Sequence, residues 1–294
     1  MNLSPKKIAL GTVQFGVPYG IANTTGLVPV SEVEKILELS LSFGIEVLDT
    51  AINYGRSETI LGQIGVERWK IISKLPSIPE GCVDILGWVR MEVEQSLLRL
   101  RVSMLHGLLL HNPSDLVGTN SSSLISALMN LKSAGLVEKI GISVYRPNEI
   151  EAAKVVSSLD IVQAPLNLID QRLVRSGWLD KLANDGTDIY VRSAFLQGLL
   201  LMDPASRPPY FSRWNDLLGR WDNWLSVNKM SAIDACLAYC FQFPGIQNVI
   251  LGIDSVSQMQ GILESLNHHK SKFPDFMFLD DPMLIEPFNW SRGL

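Results

Sequence analysis

Short apolar runs alternate from end to end with longer stretches in which apolar residues recur every three or four positions. The runs are 8–11, 45–49, 70–74, 107–111, 139–143, 160–163, 188–193 and 248–251, each nearly continuous in β-branched and leucine residues. Continuous rather than alternating apolarity marks strands covered on both faces, the condition of a parallel sheet.

The stretches between them carry helix signals. Ser31 with Glu34 reads as a capping box, Val33, Ile36, Leu37 and Leu41 make one apolar stripe, and Gly44 stands where a left-handed C-terminal residue is wanted. Val89, Val93, Leu97 and Leu100 share a face, as do Leu124, Leu128 and Leu131 ahead of Gly135; Ser255 with Gln258 caps a helix holding Val256, Met259 and Leu263. Eight such alternations predict an α/β fold, a (β/α)8 TIM barrel, as one domain over residues 1–294. An open doubly wound sheet competes, because alternation does not decide closure. Residues 203–227, with Pro204, Pro208, Pro209 and several aromatics, read as the loosest segment.

Composition narrows the partners. The chain has 294 residues, 47% of them hydrophobic, enough for a large core. With 25 Lys plus Arg against 30 Asp plus Glu, net −5, and no basic block longer than two, nucleic acid and anionic membrane are excluded as expected partners. No apolar run reaches the roughly 18–20 residues of a membrane span, and Met1 to Lys7 lacks a signal-peptide pattern, so a soluble cytoplasmic protein is expected. Cys236 and Cys240 share a predicted helix face with Ile233, Leu237 and Phe241 and read, with Cys82, as small core fillers. His268 and His269, before Lys270, read as a solvated helix end; no metal site is expected.

Candidate chemistry falls at the strand ends, where a barrel's strands converge on one mouth. Asp49 ends the second strand, Lys74 the third and His111 the fourth, and Tyr54 lies in the loop after Asp49. A phenol titrates near ~10, too high for ready proton donation, and an adjacent ammonium is expected to lower it. Lys74 is assigned that ammonium, Asp49 the carboxylate that keeps it charged, and His111 the orientation of a substrate carbonyl.

These residues carry a resemblance. Gly11-Thr12-Val13-Gln14-Phe15-Gly16, Asp49-Thr50-Ala51, Tyr54-Gly55-Arg56-Ser57-Glu58, Leu61-Gly62, Ser73-Lys74 and His111 together resemble the aldo-keto reductase family, in order and over nearly the whole chain. The resemblance implies a barrel oxidoreductase binding NADP(H), or less often NAD(H), across the strand-end rim, with a small-molecule aldehyde or ketone as partner, sugar-derived carbonyls included. Tyr54 is then the proton donor, tuned by Lys74 and Asp49, with His111 at the carbonyl.

Its implied cofactor positions begin with Gly11 and Thr12. Ser143, Gln163 and Asn167 are the candidates for holding the carboxamide, although Val144 stands where the family commonly has Asn. Arg192 replaces a stacking aromatic; a guanidinium plane also stacks on a heteroaromatic ring. Leu196, Gln197, Gly198 and Leu199 resemble the loop that folds over the pyrophosphate, and Ser193 and Phe195 just before it are further implied cofactor positions. Gly252, Ile253, Asp254 and Gln258 occupy the stretch that grips the adenosine 2′-phosphate, and the familiar basic residues are missing there. Asp254 disfavours a phosphate, yet the amides opening the helix near Ser255 offer a phosphate seat without side chains, and the balance stays slightly with NADP(H). No G-x-G-x-x-G follows any predicted strand, so the Rossmann phosphate turn is not used.

Tyr19, Tyr145, Arg146, the Trp214–Trp224 segment and Trp290 are candidates for substrate walls; for Trp221 and Trp224, packing against the barrel is the favoured reading. Two other functions stay open: a reductase-like barrel serving as a cofactor-binding regulatory subunit, and a lyase in which Lys74 forms a Schiff base, which requires that lysine neutral.

Overall fold

The apolar runs become strands in the computed structural model, which describes residues 4–23, 26–156, 158–266 and 273–292. They are β1 Ile8–Gly11, β2 Val47–Asp49, β3 Lys70–Leu75, β4 Leu105–Leu110, β5 Val137–Ser143, β6 Ile161–Pro165, β7 Asp188–Arg192 and β8 Ile246–Gly252. Each pairs in parallel with the next, and β8 returns to β1 through Ile8↔Val249 to Gly11↔Gly252. The ring is therefore a closed barrel, not an open sheet.

Helices cover it: α1 Val13–Gly16, α2 Val30–Ser42, α3 Ser57–Ile64, α4 Ile85–Leu100, α5 Ser121–Ser133, α6 Pro147–Val156, α7 Arg172–Arg175, α8 Trp178–Asn184, α9 Asn215–Asn228, α10 Ala232–Phe241, α11 Val256–Ser265 and α12 Pro282–Ile285. Gly44 and Gly135 adopt φ of +77° and +71°, the left-handed backbone their helix ends require. The capping box expected at Ser31 and Glu34 does not form. Pro29, with φ already at −59°, opens α2 early, its carbonyl accepts from Glu32 and Val33 N–H, and Ser31 falls inside the helix. Ser255 does cap α11, accepting from Gln258 N–H at 3.2 Å.

Segment 203–227 is not loose. Phe211, Trp214 and Trp221 are buried, Arg207 pairs with Asp222, and Trp221 stacks on Trp224 while donating to the Leu200 carbonyl. Cys236 and Cys240 are fully buried filler on α10. His268, His269 and Lys270 lie outside the described residues. No helix among the described residues is long and apolar enough to cross a membrane.

Two apolar layers result, one between strands and helices and a smaller one inside the ring. The inner layer is Ala9, Val47, Ile72, Leu109, Ile161, Tyr190 and Ile250. Side chains on a strand repeat their direction every second residue. Two steps beyond each inner residue, at the C-terminal mouth, stand Gly11, Asp49, Lys74, His111, Gln163, Arg192 and Gly252. The plug of the barrel and its polar mouth are thus successive layers of one strand pattern.

Candidate active site

Tyr54 is placed by two loops that touch backbone to backbone. A Cβ on Gly16 would lie 1.8 Å from the Tyr54 carbonyl, and one on Gly55, which has φ of +56°, would lie 2.5 Å from the Gly16 carbonyl. Only glycine at both positions permits that approach. Ser57 Oγ, fully buried, donates to the Thr12 carbonyl at 2.9 Å, and Thr12 Oγ1 donates to the Asp49 carbonyl at 3.1 Å. Glu58 is buried and accepts from Ser73 and Ser96 hydroxyls, both at 2.7 Å, and from Arg99 Nε at 2.8 Å. The motif residues around Tyr54 are its scaffold.

Behind the phenol, Lys74 Nζ donates to Asp49 Oδ2 at 2.7 Å and to the Thr50 carbonyl at 2.9 Å. Gln163 Nε2 donates to Asp49 Oδ1 at 2.6 Å, and Ser143 Oγ donates to Gln163 Oε1 at 3.0 Å. Both carboxylate oxygens of Asp49 are therefore satisfied in the interior. Lys74 Nζ also stands 4.9 Å from the centre of the Tyr54 ring, and the His111 ring meets Tyr54 edge-on at 5.9 Å. Phenol, ammonium, carboxylate and imidazole meet at one mouth.

Their electrostatics differ from the expectation. Burial and the Asp49 charge push the Tyr54 phenol well above its ordinary value, and the cation pulling it down is Arg192 rather than Lys74. Burial pushes Lys74 down, against the charge and hydrogen bond of Asp49 that hold it up. Lys74 is also 1% exposed and absent from the cleft wall, which leaves no route for a carbonyl to reach it as a Schiff base.

Burial, Lys74 and Arg192 together lower the His111 imidazole to about 4 from an ordinary 6.5. The unfolded chain then binds a proton between those values that the folded one does not, so stability rises with pH across that window. Urea unfolding is expected to lose up to about 3 kcal/mol from this group on acidification from near pH 6.5 to pH 4. His111→Gln should remove that part of the slope.

A cavity of about 330 Å3 runs from this mouth across the strand ends to α11. Of the implied site residues, Gly11, Thr12, Asp49, Tyr54, Arg192, Ser193, Phe195, Gln197, Gly198, Gly252, Asp254 and Gln258 line it. Ser143 and Gln163 lie beneath it, bonded to each other. Two assignments need correcting. Asn167 spends its amide on structure, donating to the Ser193 carbonyl and accepting from Ile169 and Asp170 N–H, and Ile253 is fully buried in the outer core.

Several substrate-wall candidates are also corrected. Trp290 is buried against Phe211 and donates to the Leu284 carbonyl; Arg146 forks onto Glu286; Trp214 donates to Asp281. Trp221 and Trp224, also outside the cleft wall, pack as favoured. Tyr19 does line the cleft, and Tyr145 stacks its face on Arg192 at 4.2 Å, so one side of that guanidinium is already covered.

Residue types missed in the sequence include Gln14, Ala22, Met202 and Ile233, all in the cleft wall. Gln14 had a signal, since it follows a strand end directly within the Gly11–Gly16 motif. The loop over the cleft is bent hard: Ser193, Leu196 and Gln197 have φ of 63°, 48° and 51°, and such non-glycine strain concentrates at ligand sites. Gly198, at φ +92°, packs so tightly that a Cβ there would lie 2.6 Å from Ala22 Cβ, and Gln197 donates to the Tyr19 hydroxyl at 3.2 Å. The first and seventh strand loops therefore meet across the cleft.

The residues fit an extended dinucleotide. Glycines at 11 and 252 flatten the floor, and a Cβ on Gly252 would lie 2.7 Å from Gln14 Nε2. The Gln14 side-chain oxygen is buried with no hydrogen-bond partner, an acceptor waiting for a ligand donor.

The fold is a (β/α)8 barrel in which a phenol and an aspartate line a long rim cleft, with the buried lysine paired to that aspartate and an imidazole packed against the phenol ring outside the cleft wall. Residues 7–274 match the profile of the Aldo/keto reductase family, and the chain belongs to that family. It is 25% identical over 253 residues to the "Uncharacterized oxidoreductase YqkF" of Bacillus subtilis (strain 168), covering 79% of this chain and 81% of that one. Among solved structures, the aldo-keto reductase AKR11C1 from Bacillus halodurans in its holo form superposes with a TM-score of 0.73 at 21% identity, covering 90% of this chain and 88% of that one. The glycerol dehydrogenase AKR11B4 from Gluconobacter oxydans does so with a TM-score of 0.69 at 21% identity, covering 98% and 92%. These two likenesses are likenesses of fold.

Proposed function

We propose that the chain is a nicotinamide-dependent oxidoreductase that reduces an aldehyde or ketone of a small molecule, with Tyr54 as proton donor. The observation that carries this reading is the Tyr54 phenol in the cleft wall, with the Lys74–Asp49 pair against its inner face. A nicotinamide held at that end would supply the hydride that the carbonyl carbon takes up. The chain's own residues do the rest. Tyr54 gives its proton to the carbonyl oxygen as negative charge develops there, and Lys74 and Arg192 are the cations placed to stabilise the phenolate left behind. Gln163 and Thr50 hold Asp49 and Lys74 so that neither reorganises during transfer. His111, neutral near pH 7, offers a ring N–H to the carbonyl without competing as a stronger acid.

The test is isotopic. With cofactor deuterated at the nicotinamide C4 and a panel of aldehydes, ketones and keto-sugars, deuterium is expected at the former carbonyl carbon of at least one product. Binding of cofactor with no transfer to any member of the panel would favour the regulatory-subunit reading instead.

A further inference from the structure

The two ends of the cleft differ in charge. Arg192 is the only cationic side chain in its wall among the described residues, and it stands at the Tyr54 end. At the other end the wall is Gly252, Asp254, Gln258 and Ile262, with the half-buried Asp254 carboxylate as its one ionisable group.

That end adjoins the start of α11, and free amides opening a helix are the usual way to hold a phosphate without basic side chains. Here three of the amides around that start are in use. Val256 N–H donates to Glu32 Oε1 at 2.8 Å, Gln258 N–H to Ser255 Oγ at 3.2 Å, and Asp254 N–H to Gln258 Oε1 at 2.8 Å. Glu32 reaches across from α2, so the helix start already holds an anion. A dianionic phosphate arriving there would meet two carboxylates, Glu32 and Asp254, and no cationic side chain among the described residues that line this end of the cleft.

An independent observation tells what kind of ligand the cleft awaits. Gln14 is 3% exposed, lies beside Gly252, and its side-chain oxygen accepts nothing. A buried acceptor left without a donor costs free energy that a hydroxyl-bearing ligand recovers. Carboxylate and amide oxygens suit ribose hydroxyls, which donate; an ionised phosphate only accepts.

We propose that this cleft selects NAD(H) over NADP(H), with Asp254 accepting from the adenosine ribose hydroxyls and Glu32 denying the helix start to a 2′-phosphate. This reverses the slight preference for NADP(H) that the family resemblance implies, and it rests on the reading that the cleft binds a nicotinamide dinucleotide. Asp254 is a specificity residue in direct contact; Glu32 acts through the α11 amide it occupies.

Calorimetric titration of the full chain with NADH and with NADPH tests it without any turnover. NADH is expected to bind at least about tenfold more tightly, ~1.4 kcal/mol. In the doubly substituted Glu32→Gln, Asp254→Asn chain, which keeps both side-chain shapes and an acceptor for the Val256 amide, NADPH should tighten until the ratio falls below about threefold. Thermal unfolding of the same chain checks that it folds. Equal or tighter binding of NADPH by the unaltered chain overturns the proposal and leaves the oxidoreductase reading standing. An unchanged ratio in the variant overturns the assignment to these two carboxylates. Binding of neither cofactor overturns the oxidoreductase reading, and the proposal with it.

Discussion

Tyr54→Phe is expected to lower kcat/KM for carbonyl reduction by about 10²- to 10⁴-fold, the span attributed to one positioned acid, while cofactor affinity stays within about twofold, ~0.4 kcal/mol. The substitution deletes one hydroxyl and keeps the ring. That ring still faces Lys74 Nζ at 4.9 Å and His111 edge-on at 5.9 Å, so neither the lysine–aspartate pair nor the loop contact through Gly16 and Gly55 loses its packing. The remaining candidate donor is weak. His111, with its value near 4, carries no proton to spare at neutral pH. Single-turnover loss of reduced-cofactor absorbance separates proton donation from binding, and calorimetry with the same variant measures affinity. Because burial holds the phenol protonated well above its ordinary value, the unaltered enzyme should show no rate limb from phenol ionisation around neutral pH. Retention of the full rate by Tyr54→Phe would remove Tyr54 from the mechanism.

The strands were legible because a parallel barrel buries both faces of each one, which leaves no polar alternation to confuse the run. Their ends were less so. Residues 45 and 46 read as strand yet lie before β2, since Ile45 is buried while bonded back to the Ser40 carbonyl rather than into the ladder. Closure itself needed β8 to find β1 across the whole chain, which no local pattern records.

At the site, Asp49, Lys74 and His111 could be read because each follows an inner apolar residue by two positions on its own strand. The bond from Gln163 to Asp49 spans 114 positions, and the one from Val256 to Glu32 spans 224; such pairs depend on closure and on the path of the outer helices. Trp290 and Trp214 were misread as walls for a related reason. An aromatic side chain serves core or cleft equally well, and the course of residues 281–290 decides which. The acidity of Tyr54 was misjudged because burial, which a strand-end pattern does not record, outweighs the cations near the ring.

Lys74→Met should destabilise the fold by about 3–5 kcal/mol, the usual cost of leaving a buried charge without its partner. Asp49 is 4% exposed and would keep only the Gln163 amide, on Oδ1, with Oδ2 facing a thioether. The loss should depend on pH in a definite direction. An orphaned buried carboxylate has its folded value raised above the unfolded ~3.9, so its protonated form is the one the fold prefers. Stability from that group is present below the unfolded value and lost as pH rises through the folded one. Urea unfolding of Lys74→Met should therefore approach that of the unaltered protein as pH falls toward about 4, relative to the gap near pH 7. Adding Asp49→Asn to Lys74→Met removes the charge while keeping an oxygen for Gln163, and is expected to restore at least about half of the loss near pH 7. If the double variant is no more stable than Lys74→Met alone, the cost lies in packing around the methionine, and the pair's electrostatic role is refuted. Activity should not return in either variant, because the cation against the inner face of Tyr54 is gone from both.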